Sequence, residues 1–191
     1  MGSDKKHQQP DSFSIRDVED GDMAPIQQIY ADQVLTGVSS WEEEPPTLAE
    51  MCRRREAIVS GGFPYRVAVK ADPGEPAGER VLGYAYASSY RPRPGYRYTV
   101  ENSIYVNKMA RGQGIGRLLL QDLIKQCEAR GYRQMIAVVG DSANRPSIDF
   151  HLSMGFAQAG VIKSIGFKFG RWMDSVILQR PLNNGDASLP E

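Results

Sequence analysis

One segment constrains this chain more than any other. A short strand, residues 103–106, leads into Arg111-Gly112-Gln113-Gly114-Ile115-Gly116, and a helical stretch follows with Leu119, Leu120, Leu123, Ile124 and Cys127 on one face and Gly131 past its end. A strand, then glycines, then a helix start is a ready-made anion site. Free backbone N–H groups and the positive end of the helix dipole converge there, and glycine lets a phosphate approach the backbone closely. A dinucleotide fingerprint would need a third glycine where Arg117 stands, and a Walker loop would need Gly-Lys-Ser/Thr, which is absent. The pattern left is Arg/Gln-x-x-Gly-x-Gly/Ala, filled by Arg111, Gly114 and Gly116, with a glycine-rich turn that binds nothing as the plain alternative.

An anionic ligand here must be held locally. Lys plus Arg and Asp plus Glu each number 23, so no global field recruits nucleic acid or an anionic membrane. No apolar run approaches the roughly 20 residues of a membrane span. The 191 residues suffice for one domain with a real core. Residues 1–12 are polar and lack an apolar signal core, which reads as a frayed leader on a cytoplasmic protein. Residues 13–181 read as the folded domain and residues 182–191 as a flexible tail. Two distant cysteines, Cys52 and Cys127, and two histidines, His7 and His151, argue against a structural disulfide and against a metal site.

Hydrophobic periodicity predicts strands near residues 15–18, 65–69, 81–89, 99–106, 135–139, 161–167 and 172–178. Helices are expected after Asp22 as N-cap, after a capping box of Thr47 and Glu50, after the glycine loop, and after Asn144 with Pro146 in the first turn. This mixed order of strands and helices predicts a single α/β (α+β) domain.

Beyond the glycine loop, separate segments resemble one family. Residues 100–106 (VENSIYV), 144–151 (NRPSIDFH), 154–156 (MGF) and 166–174 (GFKFGRWMD) look like phosphinothricin acetyltransferases and their methionine-sulfoximine-acetylating relatives, as do Glu44-Pro45 and residues 90–96 (YRPRPGY). The resemblance covers roughly residues 13–180. It implies the fold of the GNAT N-acetyltransferase superfamily, a mixed, mostly antiparallel sheet of about seven strands flanked by helices. It also implies acetyl-CoA as co-substrate, no metal, a small amino-acid-like amine as acceptor, and a homodimer. Direct attack of the amine on acetyl-CoA in a ternary complex is the expected chemistry. A β-bulge carried on the strand of Ile104 and Val106 would free a backbone N–H for the oxyanion.

Matched motif by motif, the resemblance places Ile104 and Val106 along the pantetheine arm, as an added strand would pair. Arg111, Gly112, Gly114, Ile115, Gly116 and Arg117 would surround the pyrophosphate. Asn144 either contacts the pantetheine or caps a helix, and the two are compatible. Glu101 is the candidate general base, because an ammonium has no lone pair to attack a thioester and a carboxylate in the cleft can take its proton. An anchoring carboxylate for the ammonium, or an exposed strand edge, are the other readings. Arg91, Arg93, Tyr96 and Thr99 are the candidate acceptor-binding residues, since guanidinium forks suit a carboxylate or phosphinate; a solvated basic loop is the alternative. His151 is either the acid that protonates the leaving thiolate or a structural histidine. Arg53, Arg54 and Arg55 read as a solvated face, and Asp174 as a residue fixing the last hairpin. A non-catalytic acyl-CoA sensor and an acetyltransferase of protein N-termini are the rival functions.

Overall fold

Seven strands form one sheet in the order β1-β2-β3-β4-β5-β7-β6. In this computed structural model, which describes residues 13–75 and 78–190, they are β1 (Phe13–Asp17), β2 (Tyr65–Ala71), β3 (Glu79–Ser89), β4 (Thr99–Val106), β5 (Gln134–Gly140), β6 (Ala157–Lys168) and β7 (Arg171–Pro181). The expected leader, residues 1–12, lies outside the described residues. Helices α1 (Met23–Thr36), α2 (Leu48–Ser60), α3 (Ile115–Ala129) and α4 (Arg145–Ser153) cover the two faces. Leu119, Leu123 and Ile148 pack with Val100, Met135 and Leu178 on one face, while Ile26, Val34 and Met51 pack with Val67, Tyr84 and Tyr105 on the other. Among the described residues no helix is long and apolar enough to cross a membrane.

All neighbouring strands are antiparallel except β4 and β5, which need a crossover, and α3 supplies it. This one parallel pairing is short. It runs only from Thr99 opposite Gln134 to Asn102 opposite Ala137. Beyond it β4 stays with β3 as far as Val106, whereas β5 stays with β7 as far as Gly140. The two strands therefore separate, and the sheet opens a wedge with residues 103–106 on one side and 138–140 on the other.

Several expectations need correction. Asp22 does not cap α1 with its side chain; its carboxylate accepts from the Glu19 N–H at 2.7 Å and from Arg16 at 2.8 Å. Thr47 caps α2 by accepting from the Glu50 N–H, but the Glu50 carboxylate turns to Arg53 and Arg54, whose charges outbid a neutral amide. Arg54 and Arg55 are not merely solvated: Arg54 reaches Glu42 at 2.6 Å and Arg55 reaches Asp20 at 2.6 Å, tying α2 to both flanking loops. The register of β3 with β4 is unbroken from Val100 to Val106, so the bulge expected on β4 is absent; irregularities fall instead in β3, where Leu82 is the extra residue opposite Ala68 and Val69, and in β6. The wedge opens because β5 follows β7, which requires no extra residue in β4. The stretch after Pro181 is docked rather than free. Leu182 is fully buried, Asn183 donates to the Glu128 and Tyr132 carbonyls, and Arg133 donates to the Gly185 and Ser188 carbonyls.

Candidate active site

The wedge continues into the glycine loop. Gly112 and Gly114 hold φ of 78° and 80°, a left-handed conformation that glycine adopts without strain. Gly114 is the N-cap of α3, and the first helical bond runs from Leu118 N–H to the Gly114 carbonyl. The N–H groups of Ile115, Gly116 and Arg117 are thus left without helical partners, and the first turn carries no acidic side chain. A side chain at Gly116 would meet only ordinary contacts with Val106 and Phe150, so the protein's own packing does not demand glycine there. Its absence keeps the floor of a groove open. That groove, about 660 Å³, joins the loop to Ile104, Val106, Asn144 and His151. Backbone donors without a competing carboxylate, beside unpaired strand backbone, suit a long ligand that carries a diphosphate.

A second cavity of about 380 Å³ sits at the apex of the wedge and shares Ile104, Tyr105, Asn144 and His151 with the groove. His151 is buried at 7% exposure and held from four sides. Its Nδ1 lies 2.8 Å from the Ser147 carbonyl and its Nε2 3.3 Å from Asn102 Oδ1, while Phe150 and Phe156 pack edge-on. Burial pushes its pKa down, and the Ser147 carbonyl opposes this. Glu101, half-buried, faces the same cavity from the other side of β4. Desolvation raises its pKa, with the Arg91 guanidinium pulling the other way.

A third cleft, about 450 Å³, meets the second at Trp41, Glu101 and Val138. Its walls are Tyr90, Ile162, Ile165, Phe167 and Ile177, and Arg91 is its one cation. Several distant segments shape it. Trp41 rests on Gly166, where any Cβ would overlap the indole, and the Val38 carbonyl rests equally close on Gly140. Lys168, 1% exposed, donates to the Gly37 carbonyl at 3.2 Å and the Ser40 carbonyl at 2.8 Å, so it clamps the loop that carries Trp41. Asp174 accepts from the Ser164 N–H and Lys163 Nζ across the irregularity in β6, and from Ser142 at 2.5 Å. It does fix the last hairpin, and it also braces the loop ahead of Asn144.

The cavities thus bring together Glu101, His151, Arg91, Asn144, Ile104, Val106 and the glycine loop. They do not include Arg93, Tyr96 or Thr99. Arg93 and Tyr96 are exposed in a turn ordered by a Tyr96 N–H to Arg93 carbonyl bond and by Tyr90 packing against Tyr96; Thr99 begins β4, half-buried. Phe167 lines the cleft, and Trp172 beside it is 64% exposed. Sequence reasoning missed Trp41, Lys168, Asn102 and the chain linking Tyr30 to Ser40 and Glu42. For Asn102 a signal existed: a polar residue alternates in phase with Val100 on the buried face of its strand.

Residues 26–156 match the model of the acetyltransferase (GNAT) family. The chain is 51% identical over 178 residues to the phosphinothricin N-acetyltransferase of Alcaligenes faecalis, covering 93% of this chain and 87% of that protein. It is 41% identical over 172 residues to the L-methionine sulfoximine/L-methionine sulfone acetyltransferase of Pseudomonas paraeruginosa, covering 90% of this chain and 96% of that one. Its fold matches, with a TM-score of 0.86 and 45% identity, the crystal structure of a GNAT superfamily phosphinothricin acetyltransferase from Sinorhizobium meliloti in complex with AcCoA, covering 94% of this chain and 93% of that one. The chain therefore belongs to the GNAT acetyltransferase family. The family and fold expected from the motifs are confirmed.

Proposed function

We propose that this protein transfers the acetyl group of acetyl-CoA to the amine of a small amino acid whose side chain ends in a tetrahedral, hydrogen-bond-accepting oxo group, such as phosphinothricin, methionine sulfoximine or methionine sulfone. One observation carries this reading: the groove, the central cavity and the third cleft connect in series, with Glu101 at the junction of the last two. The glycine loop, from Arg111 to Arg117, binds the pyrophosphate, and Ile104, Val106 and Asn144 bind the pantetheine. That order leads the thioester to the apex of the wedge. Arg91 donates to the oxo end of the acceptor at the far side of the third cleft, so the amine meets Glu101.

Glu101 takes a proton from the ammonium, which frees the nitrogen lone pair. The amine attacks the thioester carbon, and the backbone N–H of Ile104 or Val106, on the edge of β4 that β5 leaves unpaired, donates to the negatively charged oxygen. Collapse forms the amide and breaks the carbon–sulfur bond; the nitrogen gives its second proton to solvent and His151 gives a proton to the sulfur. The products are the N-acetyl amino acid and CoA thiol; the ammonium has lost two protons, the sulfur has gained one through His151, and once Glu101 and His151 return to their starting forms one net proton is released. Burial supports Glu101 in this role, since a raised pKa makes a carboxylate a stronger base.

The active form is a homodimer in which Arg93 and Tyr96 of one subunit complete the cleft of the other. Their exposure outside this chain's own cleft supports that arrangement, as do the exposed Ile162, Ile165, Phe167 and Trp172 beside it. The test is a panel of these amino acids and ordinary ones with acetyl-CoA, read by release of free thiol. Turnover confined to acceptors with a sulfoximine, sulfone or phosphinate group supports the reading. Absence of acceptor-dependent thiol release overturns it. Sedimentation that finds a fully active monomer removes the shared cleft.

A further inference from the structure

The contacts of His151 pose a proton problem. Its Nδ1 faces the Ser147 carbonyl at 2.8 Å, an atom that can only accept, so Nδ1 must carry a hydrogen. Its Nε2 faces Asn102 Oδ1 at 3.3 Å. Rotating the Asn102 amide would put N–H toward the ring, but that group is committed: Nδ2 donates to the Ile136 carbonyl at 3.0 Å, and a rotated amide would set two oxygens against each other. Asn102 is 7% exposed and stands at the last paired position of β4 before the wedge, so its side chain has little freedom to escape. A neutral imidazole with its hydrogen on Nδ1 would therefore point a bare lone pair at a fixed oxygen. Only a hydrogen on both ring nitrogens satisfies both contacts.

We propose that Asn102 is a positioning residue for acetyl transfer, whose fixed side-chain oxygen keeps a hydrogen on Nε2 of His151. The inference rests on the reading of His151 as the acid that protonates sulfur. The ionisable groups of the surrounding elements are Tyr30 of α1, Glu42 of the following loop, Glu101 and Tyr105 of β4, Arg117 of α3 and Arg180 of β7. None of them hydrogen-bonds the ring, whose polar partners among the described residues are Ser147 and Asn102. Asn102 is thus the side chain placed to oppose the effect of burial. Both residues line the central cavity, and the 3.3 Å contact is long enough for the Nε2 hydrogen to be shared with a sulfur beside it. After transfer, the neutral ring again faces Oδ1 with a lone pair, which favours its reprotonation from solvent before the next cycle.

The chain has two histidines, His7 and His151, so the ring nitrogens of full-length ¹⁵N-labelled protein give two sets of long-range proton–nitrogen signals, assigned with His7→Gln. Asn102→Val removes the acceptor; Asn102→Asp replaces it with an anion; Asn102→Ser keeps a small polar group as a check on folding. The pH at which Nε2 of His151 loses its hydrogen should fall in the Val variant and rise in the Asp variant. The alkaline limb of kcat should move in the same order, with kcat at pH 8 down about tenfold or more in Asn102→Val, within the range of general-acid contributions. A bare Nε2 throughout the titration of the wild type, or one midpoint shared by all variants, overturns the proposal whatever His151 does in the reaction. If the midpoints separate but the kcat profiles coincide, the catalytic half is overturned together with the role of His151 as acid.

Discussion

The two ends of the cleft are built on opposite plans. The end proposed for the cofactor rests mostly on one stretch: residues 104–117 supply the strand, the turn and the helix start, with Asn144 and His151 joining from α4 and the residue before it, and most of its donors are backbone N–H groups. The end proposed for the acceptor is gathered from distant places, with Trp41 before α2, Arg91 after β3, Glu101 on β4, Val138 on β5, and Ile165 and Phe167 on β6. Its chemistry lies in side chains. Backbone recognises a partner that never changes, because no substitution short of a glycine replacement or a proline alters it. Side chains recognise a partner that can change, because each wall may be exchanged separately.

The two ends should be separable by mutation. The largest effect is expected for Glu101→Gln, which should lower kcat by about 10² or more while acetyl-CoA still raises the melting temperature. Loss of that thermal shift in this variant would mean the ends are not independent. Gly116→Asp should do the reverse, abolishing a stabilisation that at 100 times Kd amounts to about 2.7 kcal/mol. Bulk and negative charge would then stand where the diphosphate binds; an unchanged melting shift would remove the assignment of this loop. Gly166→Ala inserts a methyl beneath Trp41 and should cost about 1–3 kcal/mol by overpacking. It should raise the acceptor KM and spare acetyl-CoA affinity, and equal losses at both ends would break the comparison. The smallest effect on kcat belongs to Arg91→Ala, whose larger cost falls on the acceptor KM. Arg91 favours the ionised form of Glu101, so its removal raises that pKa further, and the acid limb of kcat/KM should move to higher pH. A limb unmoved, or moved to lower pH, would separate the two residues.

How much was legible follows the same division. The glycine loop could be read because the strand, φ-permissive turn and amphipathic helix are adjacent in sequence, and each leaves a local signal. Strand positions were legible to within a few residues for the same reason; Glu101 was singled out because the resembled motif carries a general base at that position, near the start of the strand that enters the loop. Trp41 on Gly166 and Lys168 on the Gly37 and Ser40 carbonyls span more than 120 residues, and no local pattern records such contacts. The docked Leu182 shows another limit. One apolar residue in a polar stretch has no period, yet its burial in the core near α3 holds the whole segment.

Lys168 carries a further consequence. Its grip on the loop before Trp41 passes through main-chain oxygens, which every amino acid offers alike. This anchor does not read the side chains of residues 39–42, although Ser40 and Glu42 add ties of their own to Tyr30 and Arg54 and Trp41 rests on Gly166. A descendant could change the exposed face of Ser39 and the shape of Trp41 while the ammonium at residue 168 still holds the main chain in place. Selection for a new acceptor would meet a wall that can be redecorated and a hinge pin that cannot.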